Sequence, residues 1–210
     1  MLNRYARALF TKAFTPLARA LLRAGVSPDV VTLLGTVGVT VGALAFYPRG
    51  QFFVGTLVVT AFVFSDLVDG AMARKSGTSS TFGSFWDSTL DRIGDAAIFG
   101  GLALYFAESG DSYVYLCLSL FCLVAGNLTS YARAKAESLG LDARGGIAER
   151  SDRLVLILAA TGLSALFDLP VLLELGLWVL AAASAYTVAF RILKVRRQAI
   201  ALDRSPVVPE

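Results

Sequence analysis

Residues 65–92 read SDLVDGAMARKSGTSSTFGSFWDSTLDR and carry four carboxylates, Asp66, Asp69, Asp87 and Asp91. Strongly apolar sequence flanks this stretch on both sides. A charged side chain at bilayer depth costs at least about 2.5 kcal/mol, so charged residues inside membrane segments are rare and mark functional sites. The stretch is therefore the first candidate for a site, and the apolar segments around it are candidates for membrane helices.

The spacing of the aspartates predicts a divalent-metal site. Asp69 lies three positions after Asp66 and Asp91 lies four positions after Asp87, so each pair lies on one face of its helix. The segment KSGTSST, residues 75–81, supplies a turn that brings the two faces together. Converging carboxylates repel one another unless a cation lies between them, and hard oxygen ligands suit Mg²⁺ or Mn²⁺. Two such ions can bind the attacking and leaving oxygens of a phosphoryl transfer.

Smaller features of the same stretch support a ligand site. Gly70 and Ala73 are small where a ligand would approach closely, and Gly83 extends the face of the second aspartate pair by one turn. The alternative is a structural network in which the aspartates pair with Arg74 and Arg92. Two arginines under-compensate four carboxylates, so the metal site is favoured.

The stretch also carries a specific resemblance. The pattern D-x2-D-G-x2-A-R-x8-G-x3-D-x3-D, from Asp66 to Asp91, matches the signature of the CDP-alcohol phosphotransferase family at every fixed position. The resemblance implies an integral membrane enzyme of phospholipid synthesis that moves a phosphatidyl-type group from a CDP-linked lipid to an alcohol and releases CMP. More closely, the chain is similar to the bacterial phosphatidylinositol-phosphate synthases, through SPDVVTLLGT, the signature, GGIAERSDR and both terminal helices.

The resemblance assigns expected roles to individual residues. It implies that Asp91 acts as the general base on the acceptor hydroxyl while also sharing in metal binding. Arg74 would neutralise phosphate charge, and the Pro-Asp-x2-Thr segment would lie at the nucleotide end of the pocket. The residues expected to bind CDP-diacylglycerol are Asp29, Thr32, Asp66, Asp69, Gly70, Ala73, Arg74 and Gly83.

Composition places the chain among membrane proteins and excludes several chemistries. The 210 residues are 56% hydrophobic with a mean hydropathy of +0.65, which predicts one membrane domain. There is no histidine, so histidine-based triads, imidazole metal sites and histidine general bases are excluded. Cys117 and Cys122 lie five residues apart in an apolar run, where we expect neither a disulfide nor a metal site.

The hydrophobic pattern predicts an all-α integral membrane protein with six transmembrane helices, preceded by an N-terminal amphipathic interfacial helix. Residues 1–24 form the interfacial helix, residues 25–198 the membrane domain, and residues 199–210 a C-terminal tail. Ser27 is a candidate cap for the first span. The six predicted spans cover about 28–47, 51–74, 82–106, 113–137, 151–167 and 170–198.

Charge distribution predicts the orientation. Of the 19 lysines and arginines, only Arg49 falls in a predicted outer loop, so the positive-inside rule places both termini and the site in the cytoplasm and the protein in the cell membrane. A basic chain also suits nucleic-acid binding, but here the basic residues bracket apolar spans. Anionic lipid and phosphorylated substrates explain them better. The family resemblance implies a homodimer.

A second basic group predicts the acceptor. Positive-inside bias alone would place basic residues at these helix ends. However, the loop GGIAERSDR opens with two glycines and presents two arginines three residues apart, a geometry suited to an anion, and arginine binds phosphate bidentately. The resemblance to the phosphatidylinositol-phosphate synthases implies an inositol-phosphate pocket. Its expected residues are Arg133, Lys135, Arg153 and Arg191, with Arg150 as an additional candidate.

We therefore expect transfer of the phosphatidyl group from CDP-diacylglycerol to inositol-1-phosphate, with two Mg²⁺ or Mn²⁺ ions in the site. One alternative acceptor is glycerol-3-phosphate, which is also phosphorylated and would make the protein a phosphatidylglycerol-phosphate synthase. A more remote alternative is a divalent-cation transporter. Transport requires a pathway open to both faces, whereas the polar residues here gather toward one predicted face, and transport gives no reason for Gly70, Ala73 and Arg74.

Overall fold

The computed structural model describes residues 16–76 and 80–203, except for the side chains of residues 66, 67 and 73–76. The expectations for most of the amphipathic helix (residues 1–15), for the middle of the KSGTSST turn and for residues 204–210 lie outside the described residues. The described part of the chain is helical with short connections and contains no strand, as the sequence predicts.

Eight helices and one short 3₁₀ turn follow one another in the described chain. The bounds lie close to the predicted ones, because the apolar runs end at prolines, glycines and charged residues. The helices are α1 (residues 16–23), α2 (Pro28–Phe46), α3 (Phe52–Val63), α4 (Ser65–Ser76), α5 (Thr81–Ala107), α6 (Tyr113–Ser138), α7 (Arg150–Phe167) and α8 (Val171–Asp203), and the 3₁₀ turn is Tyr47–Arg49.

The chain divides into two compact units, Met1–Gly101 and Leu102–Glu210, with the boundary inside α5. In the first unit, α2 packs against α3 and α4. The side chains of Phe62 and Val58 fill the space beside Gly38 and Gly42, where even a methyl group would overlap them. The Gly38-x3-Gly42 pattern therefore serves packing within the chain.

The predicted second span, residues 51–74, contains a one-residue irregularity at Phe64 that the sequence did not indicate. The helix α3 ends at Val63 and α4 begins at Ser65, and the Phe64 N–H bonds to the Thr60 carbonyl at 3.2 Å. Ser65 lies directly against Gly35 of α2. The first half of the signature thus lies on α4, whose start packs against α2.

Within residues 16–76 and 80–203, four segments are long and apolar enough to cross a membrane. Among the described helices, α5 and α7 are not in this group, because Asp91, Arg92 and Asp95 lie within α5 and Arg150, Asp152 and Arg153 lie at the start of α7. The charged residues of the candidate site thus reduce the apolar character of two predicted spans. The four segments are Pro28–Arg49, Phe52–Met72, Tyr113–Ser138 and Val171–Asp203.

The last helix is longer than predicted. We expected it to end near Gln198, but α8 continues to Asp203, so residues 199–203 are helical and do not belong to an irregular tail. This extension reads AIALD, and alanine and leucine are strong helix formers. In the second unit, α8 packs against both α6 and α7.

Candidate active site

The first half of the signature is joined to α2 by a buried hydrogen bond. Asp69 in α4 is 6% exposed, and its Oδ2 accepts a hydrogen bond of 2.5 Å from the Thr32 hydroxyl. The Thr32 Oγ1 also lies 3.1 Å from the Pro28 carbonyl oxygen. A hydroxyl donating to a carboxylate makes a short, charge-assisted bond. Two residues predicted for CDP-lipid binding, 37 positions apart, are thus brought into contact.

The second half of the signature, at the start of α5, lies close to Asp29 at the start of α2. The Ser80 hydroxyl accepts from the Gly83 N–H at 2.8 Å and caps α5. A side chain at Gly83 would lie 3.4 Å from Asp29 Oδ1, so Asp29 and Gly83 are also brought together. The Trp86 indole N–H donates to the Asp29 carbonyl at 3.2 Å. Sequence reasoning missed Trp86, although a tryptophan one turn after Gly83 in a polar helix start was a usable signal.

The remaining aspartates lie along α5 with decreasing exposure. Asp87 is exposed, Asp91 is half-buried and Asp95 is only 5% exposed. The Arg92 guanidinium lies 3.7 Å from Asp91 Oδ2 and 3.8 Å from Asp95 Oδ2. Asp95, which lies outside the signature, therefore shares a cation with the last signature aspartate.

Whether the site can bind a metal ion depends on the atoms that its side chains offer as ligands. Among the described side chains, which include Asp69, Asp87 and Asp91 but not Asp66, no three carboxylates gather closely enough to hold an ion. The donors are nevertheless all carboxylate oxygens, supplied by two helices that follow one another in the chain, and this chemistry fits Mg²⁺ or Mn²⁺. Gly70 is half-buried in α4, whereas the side chains of Ala73 and Arg74 lie outside the described set.

In the second unit, two of the predicted acceptor residues are buried. Arg153 is 1% exposed and Arg191 is 3% exposed. Arg153 donates from Nη1 to the Ala148 carbonyl at 3.2 Å. Arg191 donates from Nε to the Gly145 carbonyl at 3.1 Å and from Nη1 to the Thr129 carbonyl at 2.7 Å. The two guanidinium groups are thus held by the two ends of the short segment GGIA, residues 145–148.

The other predicted acceptor residues are more accessible. Arg133 pairs with Glu137 one turn later, with an N–O distance of 3.0 Å, and Lys135 is exposed in the same last turns of α6. Arg150 is half-buried at the first residue of α7. The structure therefore brings Arg153 and Arg191 to one loop segment, and it leaves Arg133 and Lys135 at the exposed end of α6.

A stripe along α8 holds the loop that precedes α7, and sequence reasoning missed it. Thr187 accepts hydrogen bonds from the N–H groups of Ile147 and Ala148 at 3.2 and 3.1 Å. Lys194 binds the Asp142 carboxylate at 2.7 Å, and Gln198 pairs with both the N–H and the carbonyl of Asp142. The only sequence signal was the helical spacing of the stripe residues, Thr187, Arg191, Lys194 and Gln198.

The pKa of one titratable group in that loop, the Asp142 carboxyl, differs clearly from its ordinary value. The hydrogen bond from the Lys194 ammonium, followed by the hydrogen bond from the Arg144 N–H, lowers the pKa of the Asp142 carboxyl below its ordinary value. Asp142 lies between α6 and α7, outside the apolar segments. Its charge therefore contributes to holding the loop against α8 at neutral pH.

Comparison with known proteins identifies the family. The sequence profile described as CDP-alcohol phosphatidyltransferase matches residues 25–190. The chain belongs to the CDP-alcohol phosphatidyltransferase family. This confirms the resemblance carried by the signature, and it makes the protein a transferase of phospholipid synthesis in a membrane. The cation-transporter alternative is not supported.

Individual CDP-alcohol phosphatidyltransferases resemble the chain over most of its length. A phosphatidylinositol phosphate synthase of Streptomyces avermitilis is 54% identical, over 97% of this chain and 86% of the relative. The crystal structure of the Mycobacterium tuberculosis phosphatidylinositol phosphate synthase with CDP-DAG bound has a TM-score of 0.86 at 42% identity, covering 93% of this chain and 100% of that one. The same enzyme with manganese and citrate has a TM-score of 0.82 at 42% identity, covering 87% and 88%.

Proposed function

We propose that this transferase moves the phosphatidyl group of CDP-diacylglycerol to the hydroxyl of inositol-1-phosphate, forming phosphatidylinositol phosphate and releasing CMP. The relatives named phosphatidylinositol phosphate synthase, 42–54% identical over most of the chain, support this activity. The resemblance to a structure with CDP-DAG bound supports the donor lipid.

On the donor side, α2, α4 and the start of α5 form the CDP-lipid site. The Thr32–Asp69 hydrogen bond and the approach of Asp29 to Gly83 support this assignment, because they join both halves of the signature to one segment of α2. Gly70 and Ala73 leave room for the cytidine and ribose, and Arg74 neutralises phosphate charge. The full proposed set is Asp29, Thr32, Asp66, Asp69, Gly70, Ala73, Arg74 and Gly83.

The four signature aspartates, Asp66, Asp69, Asp87 and Asp91, hold Mg²⁺ or Mn²⁺ in this proposal, with two ions per site. The crystal structure of the M. tuberculosis enzyme with manganese supports a metal of this class. When bound, the metal supplies charge stabilisation for the pyrophosphate and for the phosphorus under attack.

Asp91 is the proposed general base. It is half-buried, and its carboxylate lies 3.7 Å from the Arg92 guanidinium. Asp91 takes the proton of the acceptor hydroxyl, and the hydroxyl oxygen forms a bond to the lipid-side phosphorus. The bond from that phosphorus to the bridging oxygen breaks, and the electron pair leaves with CMP.

The burial of Arg153 and Arg191 is the observation that carries the acceptor assignment. The positive-inside bias explains exposed basic residues at helix ends, such as Lys135, but it does not explain two guanidinium groups that are almost completely buried. Backbone carbonyls fix the orientation of both, and a fixed guanidinium fork is suited to bidentate phosphate binding. Arg133, Lys135 and Arg150 complete the proposed acceptor set.

In the membrane, we propose the arrangement that charge and hydropathy predict. Residues 1–24 form an interfacial amphipathic helix, residues 25–198 a six-span domain and residues 199–210 the C-terminal part, with α5 and α7 as the two spans that carry charged site residues. The termini and the site face the cytoplasm at the plasma membrane, and the protein forms a homodimer.

Acceptor competition tests this function. Purified protein is given CDP-diacylglycerol and Mg²⁺, and CMP release is measured with inositol-1-phosphate, glycerol-3-phosphate or free inositol. We expect release with inositol-1-phosphate and little with the other two. Release with glycerol-3-phosphate and not with inositol-1-phosphate would make the protein a phosphatidylglycerol-phosphate synthase and would leave the proposed donor site unchanged. Release with free inositol would contradict the phosphate-binding role of the arginines.

A further inference from the structure

We infer that Thr187 is a positioning residue for the acceptor's phosphate, acting through the segment GGIA, residues 145–148. The inference rests on the proposed function, in which Arg153 and Arg191 bind that phosphate. Thr187 is fully buried in α8 and accepts hydrogen bonds from the backbone N–H groups of Ile147 and Ala148. Its own hydroxyl proton goes to the Ala183 carbonyl at 2.8 Å. A threonine hydroxyl offers one donor and two acceptor sites, and all three are used here.

The segment GGIA needs hydrogen bonds of this kind to hold its conformation. Gly145 and Gly146 have φ values of +113° and +107°, a region that glycine reaches without strain but that also leaves the free chain many alternatives. The Ile147 side chain is 63% exposed, so hydrophobic burial fixes this residue only weakly. The two hydrogen bonds to the Thr187 hydroxyl are therefore a main constraint on the middle of the segment.

The ends of the same segment hold the two arginines. The Gly145 carbonyl accepts from Arg191 and the Ala148 carbonyl accepts from Arg153, so the tether at Thr187 lies between the two contacts. Two backbone carbonyls engage two of the five N–H donors of Arg191, which leaves donors for an anion. If the segment shifts, Arg153 loses its bond to the Ala148 carbonyl and Arg191 loses its bond to the Gly145 carbonyl, while Arg191 keeps its bond to the Thr129 carbonyl. The effect of losing the Thr187 hydroxyl should therefore appear in acceptor binding.

The test compares Thr187→Val with Thr187→Ser and Thr161→Val. Valine keeps the shape of threonine and removes the hydroxyl, whereas serine keeps it. Thr161 is a matched control, because it is also fully buried in the second unit and donates to the carbonyl of Ile157, one turn earlier in its own helix. The readout is steady-state CMP release. It is measured first with the acceptor varied at saturating CDP-diacylglycerol, and then with CDP-diacylglycerol varied at saturating acceptor.

We expect Thr187→Val to raise the KM for the phosphorylated acceptor about tenfold, with the KM for CDP-diacylglycerol changed less than about twofold. Thr187→Ser should restore a KM near that of the wild type, and Thr161→Val should leave it unchanged. An equal rise in both KM values, or equal effects of the two valine variants, would overturn the positioning role. If the wild type uses glycerol-3-phosphate, the proposed acceptor fails, but a selective rise in the KM for that substrate still supports Thr187. If no phosphorylated acceptor supports release, both proposals fail.

Discussion

The Thr32 hydroxyl donates to Asp69 Oδ2 at 2.5 Å, in a buried contact between α2 and α4. Asp69 is a signature aspartate, whereas Thr32 lies in a segment that the signature does not include. The bond constrains the orientation of the Asp69 carboxylate. It also connects the proposed nucleotide end of the pocket to the proposed metal ligands.

Removing that hydroxyl should weaken the donor site. Thr32→Val should lower kcat/KM for CDP-diacylglycerol about tenfold or more, because hydrogen bonds to charged groups contribute about 1.5–3 kcal/mol. Steady-state CMP release measures the change. Thr36→Val is the control, since the Thr36 hydroxyl bonds only one turn back to the Thr32 carbonyl at 3.0 Å among the contacts described. Equal losses in both variants would show that α2 packing, and not the Asp69 contact, is responsible.

The Trp86 indole should contribute to CDP-diacylglycerol binding through its hydrogen bond to Asp29 at the start of α2. Trp86→Phe keeps an aromatic ring beside Phe82 but removes the hydrogen bond to the Asp29 carbonyl. A neutral hydrogen bond contributes about 1 kcal/mol, so we expect the KM for CDP-diacylglycerol to rise about fivefold. Trp178→Phe, at an exposed tryptophan of α8, provides the control. An unchanged KM in Trp86→Phe would remove Trp86 from the donor site.

The loop that precedes α7 has no room for a side chain at Gly146. Gly146 and Gly140 both have positive φ values, +107° and +72°, so alanine strains the backbone at either position. At Gly146 the new methyl group would also overlap the Thr187 side chain, whereas the space around Gly140 is open. We expect Gly146→Ala to melt at least about 3 °C below Gly140→Ala and to lose more acceptor-dependent turnover. Equal melting temperatures would contradict the close packing of the loop on α8.

Acid should weaken the attachment of the loop to α8 through Asp142. The pKa of Asp142 is lowered in the folded protein by its hydrogen bond with Lys194, so its charge stabilises the fold above the ordinary aspartate pKa, and that contribution is lost as the pH falls through the lowered one. Asp142→Asn should therefore melt below the wild type at pH 7. The difference should shrink as the pH falls below about 4. Melting curves across this range measure it, and a difference that does not change with pH would contradict the ion pair.

Most helix bounds followed from the sequence because local signals mark them. Ser27 accepts from the Val30 N–H and caps α2, as its place before Pro28 predicted. The break at Phe64 has no such signal. No proline or glycine occurs nearby on either side, and the close approach of Ser65 to Gly35 is a tertiary contact. A pattern of residues in one segment cannot report on a neighbour 30 positions away.

The residues of the candidate site likewise include some that local sequence signals predicted and some that they did not. The signature aspartates were predicted because their charges stand out against an apolar background. The acceptor residues were predicted from the resemblance to the phosphatidylinositol-phosphate synthases, with the phosphate-binding chemistry of arginine in support. Thr187 and Trp86 were missed because their partners are backbone groups 39 and 57 residues away in the chain. A backbone carbonyl or N–H has no identity in the sequence, so contacts of this kind became visible only in three dimensions.

Phosphatidyl transfer at the signature aspartates is tested most directly by Asp91→Asn, with turnover and CDP-diacylglycerol binding measured on the same preparation. Asp95→Asn is the control, because Asp95 shares Arg92 with Asp91 but lies outside the signature. Loss of the general base should reduce CMP release about 100-fold or more, while CDP-diacylglycerol still binds and Asp95→Asn remains active. Turnover retained in Asp91→Asn would contradict the proposed chemistry, and an equal loss of turnover and binding would make Asp91 a ligand only.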